Sequence, residues 1–165
     1  MSNCFSQLCS AALLAVALAL GGGHPSARAE GLNPASGVIA VPSGYALDET
    51  VVRLKADIAA KGIPLFSEID QAALAAQAGV AGVRPSVLLV FGNPPLGTQF
   101  LSANQQAGLD WPVRMLVYQD VAGAVQIAWT DFAWIAHRHG IATRAGQFKM
   151  ASEVAASIAS AAAKR

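Results

Sequence analysis

An unbroken apolar run that ends in a Gly-Asn-Pro corner constrains this chain more than any other segment. The run Ser86–Phe91 follows Pro85 and stops at Gly92-Asn93-Pro94. Such a short run, rich in Val and Phe and bounded by proline, favours an extended chain over a helix. The sequence therefore predicts a buried central strand over 86–91, and we expect a functional site at the corner where it ends.

The N-terminal segment has the pattern of a secretory signal peptide over residues 1–29. Ala11–Leu20 is wholly apolar, and Ala27-Arg28-Ala29 matches an Ala-x-Ala cleavage site. This apolar core is shorter than the about 20 residues that a membrane span needs. We therefore expect cleavage after Ala29, no stable membrane span after cleavage, and a periplasmic or secreted location.

Cleavage would leave a chain with balanced charge and no thiol. Cys4 and Cys9 both lie in the removed segment, so disulfides, thiolate metal ligands and a cysteine nucleophile are excluded from the rest. Loss of Arg28 would leave ten basic and ten acidic residues, which provides no basic field for nucleic acid. Charged residues make up only 13% of the chain. A surface so poor in charge leads us to expect a homodimer.

Periodicity and turn residues divide the remainder into alternating strands and helices. After a flexible leader over 30–37, strands are predicted over 38–42, 64–70, 86–91, 113–119 and 124–130, the last two joined by a hairpin turn at 120–123. Helices are predicted over 47–61, 71–78 and 132–139, with a helical turn or two over 96–105. We expect one domain over 38–145, followed by an Ala-rich helix over 146–165 whose end frays.

Four segments taken together resemble the domain of unknown function 302 family. They are FSEID (66–70), RPSVLLVFGNPPLGT (84–98), WPVRMLVYQD (111–120) and WTD (129–131). The resemblance implies a small two-layer α+β domain in a TATA-binding-protein-like arrangement, with a mixed or antiparallel sheet of about five strands and helices mainly on one face. It also implies a tendency to dimerise, and it implies no reaction.

Two of this chain's departures from the family pattern remove a polar or charged group. Gln71 follows Asp70 where many similar sequences have His, and Pro95 follows Pro94 where they have Lys. An amide side chain does not titrate and is a poor metal ligand. Proton transfer or metal binding that depended on that His would therefore be absent here.

Residues near strand ends are the candidates for a ligand site. Asn93 is placed either to cap a helix that begins at Pro94 or, with that helix, to hold an anion. The two arginines that begin central strands could bind a ligand or pair with Asp70 or Asp110, and Trp111 could line a groove or fill the core. The candidate ligand-binding residues are Asp70, Gln71, Arg84, Asn93, Trp111 and Arg114.

Three functional hypotheses follow, and none requires a cofactor. The first is a non-catalytic domain that binds a small molecule or a periplasmic protein. The alternative is a metal- or anion-binding enzyme or accessory protein that uses Asp70 with His137 or His139. These histidines are weak metal candidates, because residues two apart on a helix point about 200° away from each other. The third is a purely structural interaction module whose apolar faces are buried in a complex. The hydrolase motif Gly-x-Ser-x-Gly and the phosphate-binding Gly-rich loop do not occur.

Overall fold

A five-stranded antiparallel sheet in the order β1-β5-β4-β3-β2 carries the fold. The computed structural model describes residues 34–163, so the predicted signal peptide lies outside the described residues. The strands are β1 Val38–Pro42, β2 Leu65–Asp70, β3 Ser86–Phe91, β4 Val113–Gln119 and β5 Val125–Thr130. The α-helices of this range are α1 Leu47–Ala60, α2 Gln71–Gln77, α3 Pro94–Ala103, α4 Phe132–Arg138 and α5 Ala145–Ser160, with 3-10 turns at Pro34–Ser36 and Gln105–Leu109.

The alternation of side chains along β3 explains why one face of the sheet is buried. Val87, Leu89 and Phe91 point to the same face, and each is at most 8% exposed. Apolar side chains of α1, α3, α4 and α5 pack on this face and complete a single core. The predicted α+β architecture, with helices mainly on one face, is therefore confirmed, and every strand pair is antiparallel.

The opposite face of the sheet, here called the open face, lies outside that core. Leu88 pairs with Leu116 across β3 and β4, and both side chains are only partly buried. Strand register places an apolar surface there, made of Val38, Ala40, Ile69, Leu88, Val90, Leu116 and Ala128. The same register also places Ser67, Ser86, Arg114, Tyr118, Gln126 and Thr130 on this face, so its apolar side chains form a strip across the centre, on the side of the sheet away from the core.

The C-terminal helix belongs to the domain and does not follow it. We expected a domain boundary after 145 and a frayed end, because an Ala-rich tail offers little to bury. In the structure Phe148, Ala155 and Ile158 of α5 are buried in the common core. The end of the chain is also held, since the carbonyl of Ala162 accepts hydrogen bonds from the Gly44 amide at 3.0 Å and the Ser43 hydroxyl at 2.9 Å. The helix therefore packs in the core with the other helices.

The predicted hairpin turn is present and is organised by Asp120. Its Oδ1 accepts hydrogen bonds from the amides of Ala122 and Ala124, both at 2.9 Å, and Gly123 supplies the positive φ of 82°. The Gln126 side chain donates to Oδ2 at 2.9 Å. This bond, together with the two backbone amides, lowers the pKa of Asp120 below its usual value of 3.8. The charged form therefore helps to fix the register of β4 and β5.

Candidate functional site

The corner after β3 is a strand-to-helix turn that satisfies its own hydrogen bonds. Asn93 is the N-cap of α3, and its Oδ1 accepts from the Leu96 amide at 3.2 Å. Pro94 and Pro95 occupy the first two helical positions, where a missing N–H costs nothing. The helix therefore begins at 94, two residues before the predicted turn. The capping interpretation of Asn93 accounts for the geometry.

Asn93→Ala is expected to lower the free energy of unfolding by about 1 kcal/mol, because the first turn of α3 loses its side-chain acceptor. Urea denaturation measures this difference. Gln106→Ala is the matched control, since that amide side chain is exposed, and it should change the free energy by less than about 0.5 kcal/mol. Equal values for the two variants would contradict the capping role.

Trp111 covers the corner from the start of β4. Its indole lies so close to α3 that a Cβ at Gly97 would stand 1.9 Å from Nε1, and one at Gly92 would stand 3.0 Å away. Phe66 meets the indole edge to face, with ring centroids 6.4 Å apart. The peptide bond from Trp111 to Pro112 is cis. The absence of side chains at Gly92 and Gly97 therefore leaves room for the indole, and we call this space the Trp111 seat.

An apolar cleft opens beside this seat, on the helical side of the sheet. Its interior is small, with about 40 Å³ of enclosed space, and its mouth is open to solvent. The end of β3, the start of β4 and helices α3, α4 and α5 form its walls. Its lining residues are Ile63, Phe91, Gly92, Asn93, Leu96, Gly97, Phe100, Trp111, Val113, Phe132, Ala151, Val154 and Ala155. Asn93 and Trp111 are thus the two candidate residues that the structure brings to one cavity.

Three other candidates lie at the far end of β3 and bond within the fold. Asp70 caps α2 by accepting from the Ala73 amide at 2.8 Å. Gln71 Oε1 accepts from the Ser86 hydroxyl at 2.6 Å, and Arg84 Nε donates to the Gln119 carbonyl at 3.0 Å. These side chains do not converge on the cleft.

Arg114 belongs to a third group, which is centred on a buried carboxylate. Asp110 has a side chain only 3% exposed, and Oδ2 lies 2.6 Å from Nε2 of His139, whose side chain is 4% exposed. Arg138 Nη1 donates to both carboxylate oxygens, at 3.2 and 3.1 Å, while Arg114 Nη2 lies 3.3 Å from Oδ1. Arg114 also donates to the Leu109 carbonyl at 2.8 Å. This Asp110 cluster ties β4 to the end of α4.

Asp70 does not lie near His137 or His139. Asp70 pairs with Val87 at the beginning of β3, whereas the Asp110 cluster lies near Val113, which pairs with Phe91 at its end. His139 is engaged with Asp110, and His137 is exposed. Within residues 34–163 no group of three or more His, Cys, Asp or Glu side chains could hold a metal ion.

Sequence reasoning named Asp110 only as a partner for Arg84 or Arg114. It missed His139 as a partner of Asp110, and it missed the close approach of Trp111 to Gly97. Asp110 and His139 are 29 residues apart in the chain. No local pattern connects such residues. The unusual occurrence of Gly inside a predicted helical turn was the one available indication of a close approach at 97.

Comparisons with known proteins agree on the domain. Residues 39–164 match the family model described as domain of unknown function DUF302. The crystal structure of an uncharacterized conserved DUF302 protein from Bacillus stearothermophilus superposes with a TM-score of 0.70 at 17% identity, and the match covers 76% of this chain and 98% of that one. This likeness supports the fold alone.

Similar proteins from Brucella are named as fluoride-specific ion channels and not by the DUF302 domain. Fluoride-specific ion channel FluC 1 of Brucella suis biovar 1 (strain 1330) is 37% identical over 106 residues, which is 64% of this chain and 41% of that protein. The protein of the same name from Brucella abortus biovar 1 (strain 9-941) is also 37% identical, and 39% of it is covered. The chain thus spans about two fifths of the length of these relatives.

Across residues 34–163, no helix is both long enough and apolar enough to cross a membrane. The family model, in contrast, covers nearly all of the described strands and helices and includes both the Gly-Asn-Pro corner and the terminal helix. On that match, this chain belongs to the DUF302 family, which is defined by a domain of unknown function.

Proposed function

We propose that this chain is a non-catalytic binding domain that works as a homodimer in the periplasm or outside the cell. The observation that carries the proposal is the open face, an apolar sheet surface outside the core. Antiparallel sheets with one solvated face usually alternate apolar and polar residues, so that the solvated face is polar. Here Leu88, Val90 and Leu116 stand at its centre. A second protein surface is the natural cover for such a patch.

The charges of the open face suit a second copy of the same chain. Arg114 is the only charged residue among the described strand positions of this face, and Asp110 lies 3.3 Å from its guanidinium. A two-fold axis places the same patch on both sides of an interface. A face with so little charge does not repel its own copy, and two sheets can pack face to face about 10 Å apart.

The polar candidates support binding over catalysis. Asp70 and Asn93 cap helices, Arg84 holds a strand carbonyl, and the carboxylate of Asp110 is surrounded by His139 and two arginines. A catalytic acid or nucleophile must present a reactive atom to a substrate. The metal- or anion-binding alternative lacks a geometric centre, because Asp70 and the histidines lie apart.

Leu116→Glu is expected to convert the dimer into a monomer. Each copy would place a carboxylate in the centre of the apolar interface, where desolvation and like-charge repulsion oppose association. We expect the dissociation constant to rise at least 100-fold, equivalent to about 2.7 kcal/mol. Sedimentation equilibrium at micromolar concentration measures it, and circular dichroism checks that the variant is folded.

Two further variants test whether association takes place through the open face. Val38→Glu changes an exposed position of the same face and should also weaken association, while Val52→Glu on α1 is 63% exposed on the other side and should not. A monomeric mass for the unaltered protein would overturn the self-association. An unchanged dimer in both Leu116→Glu and Val38→Glu would overturn the assignment of the face.

The N-terminal sequence bears on the proposed location, and the fluoride-channel relatives bear on the question of activity. The Ala-x-Ala site after a ten-residue apolar core supports export and release, and the mass of the protein recovered from cells tests whether Glu30 is its first residue. The likeness to the fluoride channels covers only about two fifths of their length, so their channel activity is not proposed for this chain.

A further inference from the structure

A single row of apolar side chains, here called the central strip, crosses all five strands on the open face. Strand register aligns one residue from each strand in this row, and the rows on either side of it are largely polar. The central strip consists of Ala40, Ala128, Leu116, Leu88 and Ile69. Neighbouring strands lie about 4.8 Å apart, so the strip is about 19 Å long between the two edge strands. This narrow shape limits how a second copy can cover it.

The two rows that flank the central strip differ in charge. Arg114 lies in one row and Tyr118 in the other, two positions before and two positions after Leu116 on β4, the middle strand of the sheet. The side chain of Arg114 is 49% exposed. Its hydrogen bonds to the Leu109 carbonyl and to Asp110 use N–H groups in the plane of the guanidinium. The flat face of the guanidinium therefore remains suited to stacking on a ring.

Two orientations of a two-fold axis lay the central strip of one copy along the strip of the other. An axis parallel to β4 places Arg114 opposite Arg114 of the partner subunit, where like charges oppose association. An axis along the strip exchanges the flanking rows instead. In that orientation, Arg114 stands opposite Tyr118 of the partner subunit, and the charge meets the face of an aromatic ring.

We infer that the two-fold axis of the homodimer runs along the central strip and that Arg114 of each copy stacks on Tyr118 of the partner subunit. This inference rests on the proposed function, because it specifies how two open faces meet. A guanidinium is attracted to the face of an aromatic ring, and the symmetry makes the contact twice. The arrangement thus places the charge of each open face where it contributes to binding.

Cysteine cross-linking distinguishes the two axes in the chain that begins at Glu30, which contains no cysteine. Ile69 and Ala40 stand at opposite ends of the central strip. The axis along the strip places Ile69 opposite Ile69 of the partner subunit, so a short bismaleimide should join Ile69→Cys into a covalent dimer. The axis along β4 places Ile69 opposite Ala40 of the partner subunit. It would give a product only when Ile69→Cys is mixed with Ala40→Cys, and ¹⁵N-labelling of one variant identifies that mixed product by mass.

Sedimentation equilibrium tests the stacking contact. Tyr118→Leu should raise the dissociation constant about tenfold, because two contacts are lost, whereas Tyr118→Phe keeps the ring and should change it by less than about threefold. In the Tyr118→Leu background, Arg114→Gln should cause little further loss, since its partner ring is already gone. Equal losses for Tyr118→Leu and Tyr118→Phe, or additive losses for Tyr118→Leu and Arg114→Gln, would overturn the contact.

The outcomes separate this inference from the proposed function. If the unaltered protein is dimeric but Ile69→Cys gives no covalent dimer, or the mixed product predominates, the axis along the strip is wrong and self-association stands. A monomeric mass for the unaltered protein would overturn both. A covalent Ile69→Cys dimer without the mixed product supports the axis, and this readout does not depend on whether Tyr118→Leu folds.

Discussion

Asp110→Ala is expected to lower the free energy of unfolding by about 3 kcal/mol, the largest effect of any single polar substitution considered for this protein. The alanine leaves the buried imidazole of His139 without its 2.6 Å partner and removes the group that gathers Arg114 and Arg138. Breaking a buried charged pair by deleting one partner costs about 3–5 kcal/mol. We place this case at the lower end, because both arginine side chains are more than 40% exposed and their charged ends can return to water.

Urea denaturation with a constant m-value measures the loss. The matched control is Glu49→Ala, which breaks the ion pair between Glu49 and Arg53, whose side chains are 50% and 41% exposed. An exposed pair on a helix contributes about 0.5 kcal/mol or less. If Asp110→Ala were as mild as Glu49→Ala, the Asp110 cluster could not be a buried tie between β4 and α4 in solution.

Gly97→Ala is expected to lower the free energy of unfolding by about 2–3 kcal/mol. In most helices this change stabilises, because alanine has the higher helix propensity. At 97 the added methyl would stand 1.9 Å from Nε1 of Trp111, so either the helix or the indole must move. Overpacking of this kind typically costs about 1–3 kcal/mol. The sign of the effect therefore distinguishes close approach from propensity.

Two comparisons isolate the cause. Gly146→Ala makes the same change in α5, where no heavy atom lies within 4 Å of the new methyl, and should leave stability unchanged or raise it by up to about 1 kcal/mol. In a Trp111→Ala background the penalty of Gly97→Ala should fall below about 1 kcal/mol, since the opposing ring is gone. A penalty of the same size with and without Trp111 would show that contact with the indole is not its source.

Much of the fold follows from local sequence, and particular elements show why. The strand 86–91 was predicted with its observed ends, because Pro85 and the Gly-Asn-Pro corner allow no other boundaries. The hairpin at 120–123 was read from Asp120 and Gly123, whose preferences act over a few bonds. Helix α1 showed its buried stripe in the spacing of Val51, Leu54 and Ile58.

The site was predicted less completely than the fold. Asn93 was placed correctly at the corner, because an N-cap is a local property. Arg84, Asp70 and Gln71 were grouped with it as candidates, yet strand pairing carries them to the other end of β3. An antiparallel sheet separates the two ends of each strand by the strand's full length, and sequence distance does not reveal which ends meet.

By itself, the sequence determined the five strands to within one residue, the hairpin turn and the cap at Asn93, since each depends on interactions within a few residues. Only the tertiary structure decided that α5 joins the core, that Gly97 receives Trp111, and that Asp110 is buried against His139 29 residues away. These contacts form when the helices pack against the sheet. The packing of distant segments depends on the three-dimensional shapes of their side chains, and local sequence patterns do not reveal how these shapes fit together.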